Sequence, residues 1–133
     1  MGFEHYPPDD ETAAAHLRDA TVAWAPLLGE LMAVGLRPYL ELSHGDRDDD
    51  LRLFCETDEG LLLDISLADE GLPDRPSAEE GRYWLVIVQN EDGYLAEVTI
   101  NNDPQITSRQ LVVKAVSVLE AVAAGQRPML EEW

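Results

Sequence analysis

The sequence predicts an α+β domain in the order α-β-β-β-β-β-α: an antiparallel sheet of about five strands, with an N-terminal and a C-terminal helix packed on one face. Three observations predict it. A strand–turn–strand pattern is written twice, as ETDEGLLLDISL at 56–67 and QNEDGYLAEVTI at 89–100, and the copies align without a gap, 33 residues apart. Each copy follows an apolar run, LRLFC at 51–55 and YWLVIV at 83–88, and each turns through acidic residues that end in a glycine, Gly60 or Gly93. Helical periodicity flanks the pair. Leu17, Thr21, Trp24, Leu28 and Leu31 recur at steps of four and three before it, and Leu111, Ala115, Val118 and Val122 after it, widened by Val112 and Leu119.

Residues 1–8, MGFEHYPP, have no periodicity and read as an extended arm. Asp9 or Asp10 is placed to cap the first helix. Pro26 falls inside that helix, where a proline loses a hydrogen bond and clashes with the preceding turn, so the helix must kink or end and restart there. Gly35 suits a helix C-terminus. RPYLEL at 37–42 is a first strand, and Pro38 keeps it to an edge. The acidic loop SHGDRDDD precedes the first hairpin, and the segment 68–80, rich in Pro, Gly and acid, links the two with at most one helical turn. Thr107 and Gln110 make a capping box for the last helix, which Gly125 stops. The expected organisation is an arm (1–8), one domain (9–125) and a C-terminal tail (126–133).

Twenty-seven acidic residues face nine basic ones, a net charge of −18. More than half of it falls in residues 41–80. Such a field repels nucleic acid and anionic membranes, so neither is an expected partner, and it favours a basic protein. The acidic surface is expected at Asp46, Asp48, Asp49, Asp50, Asp58 and Glu59. Cys55 is the single cysteine, which excludes an internal disulfide and reads as a small buried hydrophobe. With no apolar run near the length of a membrane span and no leader pattern at Met1, the expected location is the cytoplasm.

Alternation assigns faces to the strands. Leu61, Leu63, Ile65 and Leu67 share one side, as do Tyr94, Ala96, Val98 and Ile100, and these sides are expected to meet the helices. Leu62, Asp64, Ser66, Leu95, Glu97 and Thr99 are expected on the open face. The run 83–88 is apolar on both sides. The expectation is that Trp84, Val86 and Val88 lie on the open face with Phe54, Leu62 and Leu95, as an apolar partner-binding patch or a homodimer interface.

Motifs for chemistry fail on their spacing. Asp46, Asp48 and Asp50 stand at the first three positions of a calcium loop, but Leu51 occupies the glycine position and Thr57 the bidentate glutamate position. His5, His16 and His44 are scattered, and no Ser–His or Cys–His arrangement has a third orienting group. No glycine-rich phosphate loop is present. Neither catalysis nor a metal or other cofactor is expected.

The stretch Gly81–Ala124, in which YWLVIV, EDG, YLAEVTI and NNDPQIT lead into SRQLVVKAVSVLEAVAA, resembles the C-terminal half of class I type III secretion chaperones and their bacterial relatives. The first hairpin, LRLFC to DISLAD, resembles the family's earlier strands. The resemblance implies a small acidic bacterial α/β sandwich, usually a dimer, that binds partner polypeptides. It departs from the family at 68–80, where a helix is replaced by a segment with two prolines. The reading is thus a non-enzymatic, homodimeric adaptor or chaperone-like protein. An acidic DNA mimic or immunity-type inhibitor is the alternative, and a small carboxylate- or metal-dependent enzyme the last.

Overall fold

The structure is a computed structural model that describes residues 10–44, 49–67, 72, 83–102 and 105–133. Two helices, α1 (Asp10–Ala23) and α2 (Ala25–Ala33), lead into a meander of β1 (Arg37–His44), β2 (Asp49–Glu56), β3 (Leu62–Leu67), β4 (Tyr83–Asn90) and β5 (Gly93–Asn101). Helix α3 (Ser108–Ala123) and strand β6 (Met129–Glu132) follow. The strands form one sheet in sequence order, antiparallel throughout except for the parallel pair β5–β6. The α+β class and the terminal helices are as the sequence predicts, with six strands rather than five.

The sixth strand comes from the expected tail. After Gly125 the chain reverses, the Glu97 N–H donates to the Pro128 carbonyl at 2.8 Å, and the Trp133 N–H donates to the Thr99 carbonyl at 2.7 Å. All four β6 residues are exposed, so backbone pairing rather than burial holds them. The half-buried Trp133 packs against the core beyond the strand, and Lys114 donates to its carbonyl at 2.7 Å.

Pro26 resolves as a restart. It occupies the first turn of α2, where its missing N–H costs no helical bond, and Trp24 stands between the two helices. The buried stripe differs from the expected one at its first turn. Ala20, Trp24, Leu27, Leu28 and Leu31 are buried, whereas Thr21 is exposed and donates to the Leu17 carbonyl at 2.6 Å. The side chains that were expected to cap α1 lie outside the described residues. The capping box of α3 forms as expected: Gln110 N–H donates to Thr107 Oγ1 at 3.1 Å, and Thr107 N–H to Gln110 Oε1 at 2.8 Å.

Helices α2 and α3 end in the same way. Gly35 (φ 89°) donates to the Met32 carbonyl, and Leu36 to that of Leu31. Gly125 (φ 94°) donates to the Val122 carbonyl, and Gln126 to that of Ala121. These are Schellman pairs, and positive φ favours glycine at both.

All three helices lie on one face of the sheet, with α3 over β4 and β5 and beside α2, and α1 and α2 reaching β1. The core between the layers holds Leu51, Leu53 and Cys55 of β2, Leu63, Ile65 and Leu67 of β3, and Ala96, Val98 and Ile100 of β5. Leu111, Val112, Ala115, Val118 and Val122 of α3 cover them. Leu72 joins this core and donates its N–H to the Leu51 carbonyl at 2.9 Å. The rest of 68–82 lies outside the described residues, as does the expected arm.

Register corrects the reading of β4. Trp84 faces Leu67 and Ile100, Val86 faces Ile65 and Val98, and Val88 faces Leu63 and Ala96. Residues directly opposite share a face, so Trp84, Val86 and Val88 belong to the core and not to an open patch. Val86 and Val88 are fully buried, and the Trp84 ring meets Trp24 edge-on at 6.0 Å. Each such side chain contributes about 1.5–3 kcal/mol through burial. The outward residues of β4 are the half-buried Leu85 and Ile87, opposite Ser66 and Asp64 of β3.

Candidate functional site

One pole of the molecule is closed and the other open. At the closed pole, Trp24, Leu27, Leu67, Trp84, Asn102 and Leu111 surround a cavity of about 60 Å³, room for a water or two and no larger ligand. The buried Asn102 accepts the Ile106 N–H at 3.1 Å and ties the entry to α3 there.

The open pole holds a cleft of about 650 Å³, within the size range of ligand sites. Five regions of chain build it. Val34, Gly35 and Leu36 come from the end of α2, Thr57 to Leu61 from the β2–β3 turn, and Asn90 and Leu95 from the second hairpin. Val116, Leu119, Glu120, Val122 and Ala123 come from α3, and Arg127 from the link to β6. Leu36, Leu61, Leu95, Val116 and Leu119 are half-buried aliphatics that pack on the core and floor the cleft. Asp58, Glu59 and Glu120 stand exposed on its rim.

The turn wall is held by Thr57, which is buried. Its backbone N–H donates to the Leu61 carbonyl at 3.1 Å, and its Oγ1 accepts the Leu61 N–H at 3.1 Å. Gly60 (φ 79°) lets the chain reverse between them. Arg37 braces the turn from β1, donating to Asp58 and to the Thr57 carbonyl. Arg127 lies at the end of α3, where its Nη1 donates to the Val122 carbonyl at 3.1 Å and to the Gln126 carbonyl at 2.7 Å.

Leu95 reaches the cleft because the β4–β5 register shifts at Val88/Gln89. Val88 faces Ala96 and Gln89 faces Tyr94, which leaves Leu95 opposite no residue of β4. The extra residue turns Leu95 towards the core and leaves Tyr94 exposed, the reverse of the alternation expected from the sequence.

The expected partner-binding set therefore divides. Trp84, Val86 and Val88 lie in the core, and Leu95 lies on the cleft floor. Phe54 and Leu62 do lie half-buried on the open sheet face, where the Phe54 ring packs against Tyr39 at 5.7 Å. That face also carries Asp64, buried and 3.6 Å from Arg52, together with buried Ser66. Of the expected acidic surface, Asp58 and Glu59 are on the cleft rim, while Asp49 and Asp50 begin β2 at the opposite pole. Asp46 and Asp48 lie outside the described residues. The sequence reading missed Leu36, Leu61 and Leu119 as site residues, because each reads locally as an ordinary apolar position.

No reactive thiol is presented. Cys55 is fully buried, and burial pushes its thiol up to about 12. Among the described residues, no three His, Cys, Asp or Glu side chains gather where they could hold a metal ion. No described helix is long and apolar enough to cross a membrane. No family model matches the chain, and no curated protein or solved structure is significantly similar to it.

Proposed function

We propose that this protein is a non-enzymatic adaptor or chaperone-like binding protein of the cytoplasm, and that the cleft at the open pole holds a segment of a partner protein. The observation that supports this reading is the cleft itself: an open concavity built from five regions of chain, with an aliphatic floor and a charged rim. A photo-crosslinking residue at position 61 or 119 tests it in the native host. The expected result is one partner, cross-linked through the same peptide from both positions. The control is position 113, an exposed site on α3 (60% accessible) that lies outside the cleft. Equal adducts from position 113, or none from the cleft, would sink the reading.

A homodimer is a separate proposal, supported by β4. Its outward Leu85 and Ile87, with Phe54 and Leu62, supply the apolar stripe that the sequence reading assigned to Trp84, Val86 and Val88. The sheet edges favour this face over edge pairing. Pro38 withholds a donor on β1, and Glu131 and Glu132 would meet like charges if a second β6 paired at that edge. The mass in solution of the wild-type chain, against that of Ile87→Asp, decides it, since a monomer in both cases removes the dimer.

The DNA-mimic reading draws less support. Asp49 and Asp50 are separated from Asp58 and Glu59 by the whole of β2, roughly 20–25 Å at strand rise.

A further inference from the structure

We infer that the segment held in the cleft is a cationic amphipathic peptide, with two or three aliphatic side chains on the floor and a Lys or Arg at the rim. The inference rests on the cleft being the binding surface and specifies what it selects.

Three features of the open pole set the sign of the charge. First, α2 and α3 both end at the cleft, since Val34 and Gly35 line it at one helix terminus and Val122 and Ala123 at the other. A helix C-terminus carries about half a negative elementary charge. Neither helix has a basic residue in its last turn to offset it. Second, Glu59 and Glu120 stand on the rim, and neither is ion-paired with a described residue. Third, the two arginines nearby are committed. Arg37 is bound to Asp58 and the Thr57 carbonyl, and Arg127 to the Val122 and Gln126 carbonyls. Arg127 therefore screens one helix end and leaves the other. An acidic segment would meet two glutamates and the negative end of the α2 dipole, which no basic residue in its last turn offsets. A neutral apolar segment would fill the floor and leave the rim field unused. A cation on an aliphatic stem satisfies both, as the methylenes of Lys or Arg cover apolar surface while the charged head stays in water.

Three synthetic peptides test this by fluorescence anisotropy on the intact chain: an amphipathic Leu/Lys helix former, its Leu/Glu counterpart, and a Leu/Lys isomer of scrambled order. The Leu/Lys peptide is expected to bind about tenfold or more tighter than either control, with an advantage that shrinks as salt rises. Glu59→Gln with Glu120→Gln is expected to weaken it by about tenfold and to flatten the salt dependence. Glu131→Gln with Glu132→Gln removes the same charge from exposed β6 and is expected to leave binding within about twofold. Equal loss from both pairs, or equal affinity for the Leu/Lys and Leu/Glu peptides, overturns the inference. A cross-linked partner peptide without a basic residue also overturns it, while the binding reading stands. No cross-link together with no peptide binding removes both.

Discussion

In the first hairpin Cys55 faces Leu63 and Glu56 faces Leu62, so alternation runs unbroken to the turn. In the second, Val88 faces Ala96 but Gln89 faces Tyr94. The two stretches are matched residue for residue in the sequence, yet the second carries one more residue on its returning strand. Leu62 consequently lies on the open sheet face, and its counterpart Leu95 lies on the cleft floor. The lesson is that a bulge re-aims a side chain at no cost in sequence pattern. The first hairpin places Arg52 beside Asp64 on its outer face and lends the cleft only its turn, whereas the second lends the cleft a strand residue, Leu95.

The comparison breaks most sharply at β4. Val86→Asp puts an unpaired charge between Ile65 and Val98 and is expected to cost about 4 kcal/mol or more, whereas Ile87→Lys on the outer face, opposite Asp64 and Glu97, is expected to cost about 1 kcal/mol. Urea unfolding of the two variants reads the difference, and similar losses would refute the face assignment. The neighbouring leucines of β3 come next. Leu63→Ala is expected to lose about 2–5 kcal/mol and Leu62→Ala about 1 kcal/mol, measured in the same way.

The turn glycines come third. Gly93 has φ 131°, open mainly to glycine, while Gly60 at φ 79° is nearer the left-handed helical region. Gly93→Ala is expected to cost about 2–3 kcal/mol and Gly60→Ala about 1–2 kcal/mol. A reversed order of melting temperatures would show that the longer first turn, not the tight second one, is the more constrained.

The smallest effect is expected at Cys55, the counterpart of Val88 in the duplicated pattern. Cys55→Val keeps the volume and is expected to shift stability by less than about 1 kcal/mol at neutral pH. It should also remove a pH dependence. The thiol ionises at an ordinary 9.0 when unfolded and at about 12 when buried, so its contribution is intact below pH 9 and falls away as pH rises towards 12. Denaturant midpoints of both chains between neutral and alkaline pH check this, and parallel curves would count against a buried thiol.

How far the sequence could be read follows from what pattern encodes. Gly60, Gly93, the capping box at Thr107 and the stripes of α2 and α3 depend on near neighbours, and each was legible. Pro26 announced a break, but Ala20 rather than Thr21 is the buried residue of the turn before it. Strand β4 was not legible, because with apolar residues on both sides only its partners in β3 and β5 decide which side is covered. Strand β6 is too short, too acidic and too exposed for periodicity to mark it. The cleft joins Leu36, Leu61, Leu95 and Leu119, which are distant in sequence and meet only through register, a bulge and two helix ends.

The parallel edge strand has a consequence in time. Strands β1 to β5 join neighbours in sequence order, so the meander can pair as it emerges during synthesis. Helix α3 and β6 follow it off the ribosome by roughly 1–5 s at ordinary elongation rates. In that interval the apolar side of β4 and β5 lacks its cover, and the cleft lacks the wall bearing Leu119 and Glu120. The cleft is therefore complete only once α3 has docked on a meander that is already paired.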